Sequence, residues 1–270
     1  MKMVKKILFG LAIAAAAFTL AGCLPTEDPD GALKSENIEF TQDSSKGQFY
    51  RSFKSTATKH YSANAEIKID NPKAPEALST NNAVATFGFV FGLEEHKHDP
   101  EVKTTNAEGK EEKVKFYDFG IAAVRYNRKS SKIEWYVSWC EDAPDTLFGY
   151  NDASEFETKI DGVKYGKETQ IIPTSGFFKQ VSSLSLTDDD KLDVVIKTVA
   201  NEDGSYKVSL CNADGDEKDS TTISKAVTGF EGKTQKYIGR YLTVYSGETV
   251  KGSIKYTDVN GNLIPAEYVD

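Results

Sequence analysis

The chain is poor in cysteine, histidine, tryptophan and methionine, with three, three, two and two of them in 270 residues. Three cysteines are too few for a small fold framed by disulfides. It is also short of positive charge, with 33 basic residues against 41 acidic ones. Nucleic acid is gripped by Lys and Arg on its phosphates, so an acidic chain excludes it as a partner. No apolar run reaches the ~20 residues that a helix needs to span a bilayer. The longest, Ile7 to Ala21, has about 15. No stretch sustains the three-to-four residue apolar spacing of a major helix. A Ser-centred nucleophile elbow, a phosphate loop, a dinucleotide fingerprint and an internal repeat are all missing as well.

What is present begins at the N-terminus. Lys2, Lys5 and Lys6 precede the apolar run, and Leu20-Ala21-Gly22-Cys23 follows it. A basic start, an apolar stretch and small residues before a cut describe an export signal over residues 1–22. The string Leu-Ala-Gly-Cys resembles the lipobox of bacterial lipoproteins. That resemblance implies cleavage before Cys23 and lipid, palmitate included, on Cys23. Buried acyl methylenes contribute about 0.8 kcal/mol each, and several chains give a stable anchor. Cleavage removes three lysines and no acid, leaving 30 basic and 41 acidic residues, a net of −11. Such a surface is not drawn to anionic lipid, so the anchor is the expected membrane contact. Leu24 stands where some diderm bacteria use Asp to retain lipoproteins at the inner membrane, which favours the outer membrane.

Residues 23–46 are rich in Pro, Asp, Glu, Ser and Gly and read as the lipidated cysteine and a flexible tether, with Ile38 and Phe40 as an optional edge strand. Residues 47–270 read as one domain, a size that all-β sandwiches reach. Strand signals recur at Gln48–Phe53, His60–Ile69, Val84–Gly92, Val114–Tyr126, Lys132–Trp139, Leu192–Val199, Tyr206–Cys211, Tyr237–Tyr245 and Val250–Asp258. Asn201-Glu202-Asp203-Gly204, Asp161-Gly162 and Ser246-Gly247-Glu248 carry the glycines that hairpin turns use. Ser175–Val181 reads as a short helix or a loop.

With Cys23 assigned to lipid, Cys140 and Cys211 remain. Each falls on the polar side of its strand, Cys140 with Glu134, Tyr136 and Ser138, and Cys211 with Lys207 and Ser209. Two such thiols on one sheet face could form a disulfide in an exported protein, or stay unpaired.

Certain segments carry a resemblance. Phe87-Gly88-Phe89-Val90-Phe91-Gly92 is followed by Phe116-Tyr117-Asp118-Phe119-Gly120-Ile121, and then by Leu192-Asp193-Val194-Val195-Ile196 and Tyr206-Lys207-Val208-Ser209-Leu210. Gly239-Arg240-Tyr241-Leu242-Thr243-Val244-Tyr245 and Gly252-Ser253-Ile254-Lys255-Tyr256-Thr257-Asp258 close the series. This succession, over residues 48–259, resembles the laminin-G-like branch of the concanavalin A-like lectin/glucanase superfamily. It implies an antiparallel two-sheet jelly-roll sandwich, and many such domains bind sugars. The superfamily's hydrolases place paired carboxylates on one strand, and retaining hydrolysis needs them about 5–5.5 Å apart. Here Glu134 is followed at alternate positions by Tyr136 and Ser138, so the pair is missing.

Trp135 and Trp139 share a strand side with Ile133 and Val137 and read as core. The opposite side offers Glu134 and Tyr136, and the strand before it supplies Arg125; these three are the candidate ligand contacts. The Glu94-Glu95-His96-Lys97-His98-Asp99 run opens a charged loop and reads as solvated rather than as a zinc site. Asp188 and Asp190, with Asp193, and Asn212, Asp214 and Asp216 could offer oxygens to Ca²⁺, which takes six to eight, although acidic turns without metal are commoner. The sequence thus points to an anchored, non-enzymatic binding module for a carbohydrate or a host or envelope protein, with no obligatory cofactor. A glycoside hydrolase or lyase and a structural envelope component are the competing expectations.

Overall fold

The computed structural model describes residues 36–42, 46–54, 62–73, 83–96, 98, 100–105, 108–145, 149–151, 158–229, 237–244 and 248–261. Cys23, the signal and residues 23–35 of the expected tether lie outside them. Two large antiparallel sheets face one another. The smaller contains β1 (Glu36–Gln42), β3 (Ala63–Ile69), β14 (Leu192–Ala200), β15 (Tyr206–Asn212), β16 (Glu217–Ile223) and β18 (Glu248–Thr257), in the order β1-β18-β3-β14-β15-β16. The larger contains β2 (Lys46–Lys54), β4 (Ala85–His96), β7 (Phe116–Asn127), β8 (Lys132–Pro144), β9 (Gly149–Asn151), β12 (Lys167–Ile172) and β17 (Tyr237–Val244), in the order β12-β8-β7-β4-β17-β2-β9. The two-residue β13 (Lys179–Gln180) also pairs with β8. Two satellite hairpins, β5 (Lys103–Thr105) with β6 (Glu111–Lys113) and β10 (Thr158–Ile160) with β11 (Val163–Tyr165), stand apart. The chain changes sheet between β1 and β2, β2 and β3, β3 and β4, β13 and β14, β16 and β17, and β17 and β18. This is the crossing pattern of a jelly-roll β-sandwich.

The sequence pattern explains the two kinds of strand. β3 alternates buried and more open residues, as a strand with one wet face should. β7 and β8 are buried on nearly every residue, on both faces of the larger sheet. Between the sheets lie Ile67, Phe87, Phe89, Phe91, Trp135, Trp139, Leu192, Ile196, Tyr206, Leu210, Ile254 and Tyr256. Both tryptophans are fully buried, as their strand side implied. A second buried cluster, with Val90, Phe119, Ile121, Ala123, Cys140 and Tyr241, lies on the outer face of the larger sheet.

All nine strands read from sequence are present, and the Asp161-Gly162 turn joins β10 to β11 with both residues at positive φ. Two expectations are corrected. Cys140 and Cys211 are free thiols. Each does sit on the outward side of its strand, but β8 and β15 belong to opposite sheets. The thiols therefore point away from each other, with the packed core between them, and no disulfide is possible at the few ångströms it requires. The second correction concerns Ser246-Gly247-Glu248, which joins strands of different sheets and so makes a crossing, not a hairpin; residues 245–247 lie outside the described residues. β1 occupies part of the span read as tether, at the positions of Ile38 and Phe40, and its backbone pairs with β18.

Candidate functional site

The outer faces of the two sheets differ in chemistry. On the smaller sheet, cross-strand charges neutralise one another: Lys255 with Glu66 at 3.0 Å, Lys68 with Asp193 at 3.0 Å, and Lys207 with Glu217 at 2.7 Å. This is a solvated, self-satisfied face. On the larger sheet, register sets four rows across the strands. Gln180, Glu134, Arg125, Thr86 and Thr243 form one, and Tyr136, Ala123, Gly88 and Tyr241 the next. Gln170, Ser138, Ile121 and Val90 form a third, and Glu168, Cys140 and Phe119 a fourth. The middle of this face is closed to solvent. It opens at the corner where β7 and β8 meet β12 and β13.

That corner contains all three side chains singled out as ligand contacts. Arg125 and Glu134 oppose each other across the β7–β8 hairpin. Nε and Nη2 of Arg125 both donate to Oε2 of Glu134, at 2.9 and 2.8 Å. The other carboxylate oxygen accepts from Nδ2 of Asn127 at 2.9 Å and from Nε2 of Gln180 at 3.4 Å. Glu134 is 4% exposed, so its carboxylate is buried and satisfied on both oxygens. The guanidinium carbon of Arg125 lies 3.7 Å from the ring centroid of Phe178, a cation–π contact. Tyr136 meets Phe178 edge to face at 5.0 Å and Tyr241 at 6.4 Å. Gly88 makes room for the Tyr241 ring, since a Cβ there would stand 3.0 Å from it. Burial pushes the Tyr136 phenol well above its usual range, with Tyr241 and Glu168 adding to the rise. It is a neutral hydroxyl at any ordinary pH. Burial likewise raises the Cys140 and Cys211 thiols, so neither is an activated nucleophile.

Glu168, on the outer face beside the corner, pairs with Cys140, six residues along β8 from Glu134. At about 3.3 Å per strand residue this is roughly 20 Å of separation along the strand. The spacing for paired-carboxylate hydrolysis is about 5–5.5 Å. Tyr117 falls at the far end of the same face, opposite Ala143, with its hydroxyl 3.5 Å from Oε2 of Glu95.

The acidic turns are held by their own polypeptide. Nζ of Lys73 is 2.5 Å from Oδ1 of Asp190, while Asp193 turns to Lys68. Asp188 is exposed. Oδ1 of Asn212 accepts from the backbone N–H of Asp216 at 2.8 Å, and its Nδ2 donates to Asp214 at 3.5 Å and Asp216 at 3.3 Å. Among the described residues, no group of three or more His, Cys, Asp or Glu side chains is placed to hold a metal. His98 belongs to another arrangement: its Nε2 is 2.5 Å from Oδ1 of Asp142 and its ring packs on Phe116 and Tyr165.

Sequence reasoning missed Asn127, Phe177, Phe178 and Gln180. Asn127 was accessible in principle, since a hairpin closing at Asn127 and Lys132 sets Arg125 opposite Glu134 and brings Asn127 close. The adjacent Phe177-Phe178, between a glycine and a lysine, was the only signal for the rest.

No family model matches the chain, and no curated protein matches it in sequence. Solved structures similar to it include the CBM2 module of Lactobacillus casei BL23 phage J-1 evolved Dit, at 9% identity and a TM-score of 0.32, over 82% of this chain and 67% of that one. Scytalido-glutamic peptidase with a transition state analog inhibitor is similar at 9% identity and a TM-score of 0.32, over 86% of this chain and 88% of that one. Likeness at this level carries no functional argument.

Proposed function

We propose that the chain is a lipid-anchored, extracytoplasmic binding module without enzymatic activity, which takes a carbohydrate or a host or envelope protein at the β7–β8–β12–β13 corner. The observation that carries this reading is the contrast between the outer faces. The smaller sheet pairs its charges among themselves, whereas the corner of the larger sheet presents the aromatic pair Phe177 and Phe178 beside the exposed residues Gln170 and Gln180, with Arg125 and Tyr136 packed beneath as supports. Aromatic surface with a few polar groups is the usual make-up of a recognition site. Glu134 is saturated by Arg125 and Asn127, and Glu168 is roughly 20 Å away along β8. That spacing favours binding over paired-carboxylate hydrolysis. The signal, the Leu20-Ala21-Gly22-Cys23 string and the acidic mature chain support attachment through Cys23.

Two arms test the proposal. Cys23→Ser should move the protein from the membrane to the soluble fraction and abolish palmitate incorporation. The soluble 24–270 fragment, shown to be folded, should bind at least one probe on a glycan array or one purified envelope protein. A folded fragment that binds none of them, or release of reducing sugar from a glycan, would remove this reading.

A further inference from the structure

Between β12 and β13 the chain leaves the edge of the larger sheet and returns to it. β12 pairs with β8 down to Val137, and β13 resumes at Trp135 and Glu134, so the six residues 173–178 form a loop on that edge. The loop is pinned at its base. Phe178 is clamped between the Arg125 guanidinium and the Tyr136 ring, and Nε2 of Gln170 donates to the carbonyl of Phe177 at 3.3 Å. The Arg125–Glu134 pair thus acts beneath the loop, as a support rather than as an open contact.

Phe177 projects from this fixed base. At 86% exposed it is the most open large apolar side chain among the described residues. A Phe so presented leaves nearly all of its ring to solvent. No charged residue occurs from Ile171 to Phe178, in a protein that is 27% charged. The exposed residues Gln170, Thr174, Ser175 and Gln180 offer amides and hydroxyls, and Lys179, which follows the loop, is paired with Asp219 at 2.7 Å. An open aromatic ring among neutral donors and acceptors matches a ligand with an apolar C–H face and neutral hydroxyls. A saccharide ring has both.

The loop emerges on the edge of the sandwich opposite β1. β1, which follows the expected tether, is at one edge of the smaller sheet, and β16 is at the other. β12 packs beside β16, so the loop is on the edge far from β1. Five interstrand spacings separate the two edges, about 24 Å.

We infer that Phe177 is the stacking platform for a neutral saccharide ring, flanked by the amides of Gln170 and Gln180. The inference rests on the binding-module reading and names its ligand class and contact residue. Its test uses the full chain in detergent on an array of gluco-, galacto-, manno- and N-acetylglucosamine oligosaccharides. Wild type should bind one of these series. Phe177→Ala should weaken that binding at least tenfold with an unchanged melting temperature, and Phe177→Trp should retain it. Val163→Ala, at an exposed apolar residue elsewhere, should bind as wild type does. Undiminished glycan binding by Phe177→Ala overturns the inference and leaves the binding-module reading intact. Wild type that binds an envelope protein and no saccharide has the same effect. Wild type that binds neither removes both.

Discussion

Glu217 on β16 accepts three hydrogen bonds from side chains. Lys207 and Ser209 reach Oε2 at 2.7 and 2.8 Å, and Ser220 reaches Oε1 at 2.8 Å. Those bonds, Lys207 first, hold its carboxyl down at about 2, against an ordinary 4.5. As pH falls, the unfolded chain therefore takes up this proton before the folded one. The stabilisation is fully present above about 4.5 and is lost progressively as pH falls towards about 2. Glu217→Gln should have a flatter melting-temperature profile than wild type between pH 5 and 2, measured by circular dichroism. Parallel profiles would contradict it. Half exposure of both partners screens the pair, so the difference should be modest. Arg125 and Glu134 form a different kind of pair. They are largely buried, bonded to Asn127 and Gln180, and capped by Phe178. Here the charge is used to fix a loop, and removing one partner would strand the other away from water.

β18 and β3 show how closely strands of the smaller sheet approach. Gly252 pairs with Ile69, and a Cβ in its place would stand 2.2 Å from the carbonyl oxygen of Lys68 and 2.8 Å from the Phe87 ring. The nearer obstacle is backbone, which cannot rotate aside. Gly252→Ala should therefore lower stability by about 2–3 kcal/mol through strand displacement, read as a fall in the urea midpoint. A midpoint equal to wild type would show that the strands part without cost. This glycine belongs to the succession that suggested the fold, and the reason for it is now spatial. Strands with a buried side were legible because β3, β14 and β15 alternate, β4 and β7 are largely apolar on both faces, and β8 alternates apolar Ile133, Trp135, Val137 and Trp139 with Glu134, Tyr136 and Ser138. β16 was not legible. Glu217-Lys218-Asp219-Ser220-Thr221-Thr222 is polar throughout and becomes a strand only because β15 offers an unpaired edge. β12, with Lys-Glu-Thr-Gln at its start, is the same case against β8. The candidate site divides along this line. Arg125, Glu134 and Tyr136 follow from hairpin register, whereas Phe178 reaches them only because β12 leaves the ladder and β13 rejoins it.

At the scale of the molecule, one edge of the sandwich is latched by a single acid. Asp219 belongs to β16 in the smaller sheet, yet its Oδ2 accepts from Nε1 of Trp135, a fully buried side chain of β8 in the larger sheet. Lys179 of β13 binds the same carboxylate at 2.8 and 2.7 Å. The bond crosses the interior at the edge where the β12–β13 loop emerges. Without it, the indole N–H would be buried with its acceptor gone, which costs about 1–3 kcal/mol. Asp219→Ala should accordingly lose about 2 kcal/mol in urea unfolding, with an unchanged slope because the exposed area is the same. Asp219→Asn, which keeps an acceptor oxygen for the indole, should recover most of the loss but not the attraction for Lys179. Trp135 and Trp139 are the only tryptophans of the chain, so their fluorescence follows both sheets as they part. If Asp219→Ala matches wild type within about 0.5 kcal/mol, the precision expected of a surface substitution, the sheets are held by apolar packing alone. The loop carrying Phe177 would then owe its position to Arg125 and Tyr136, with no contribution from the closure of the sandwich.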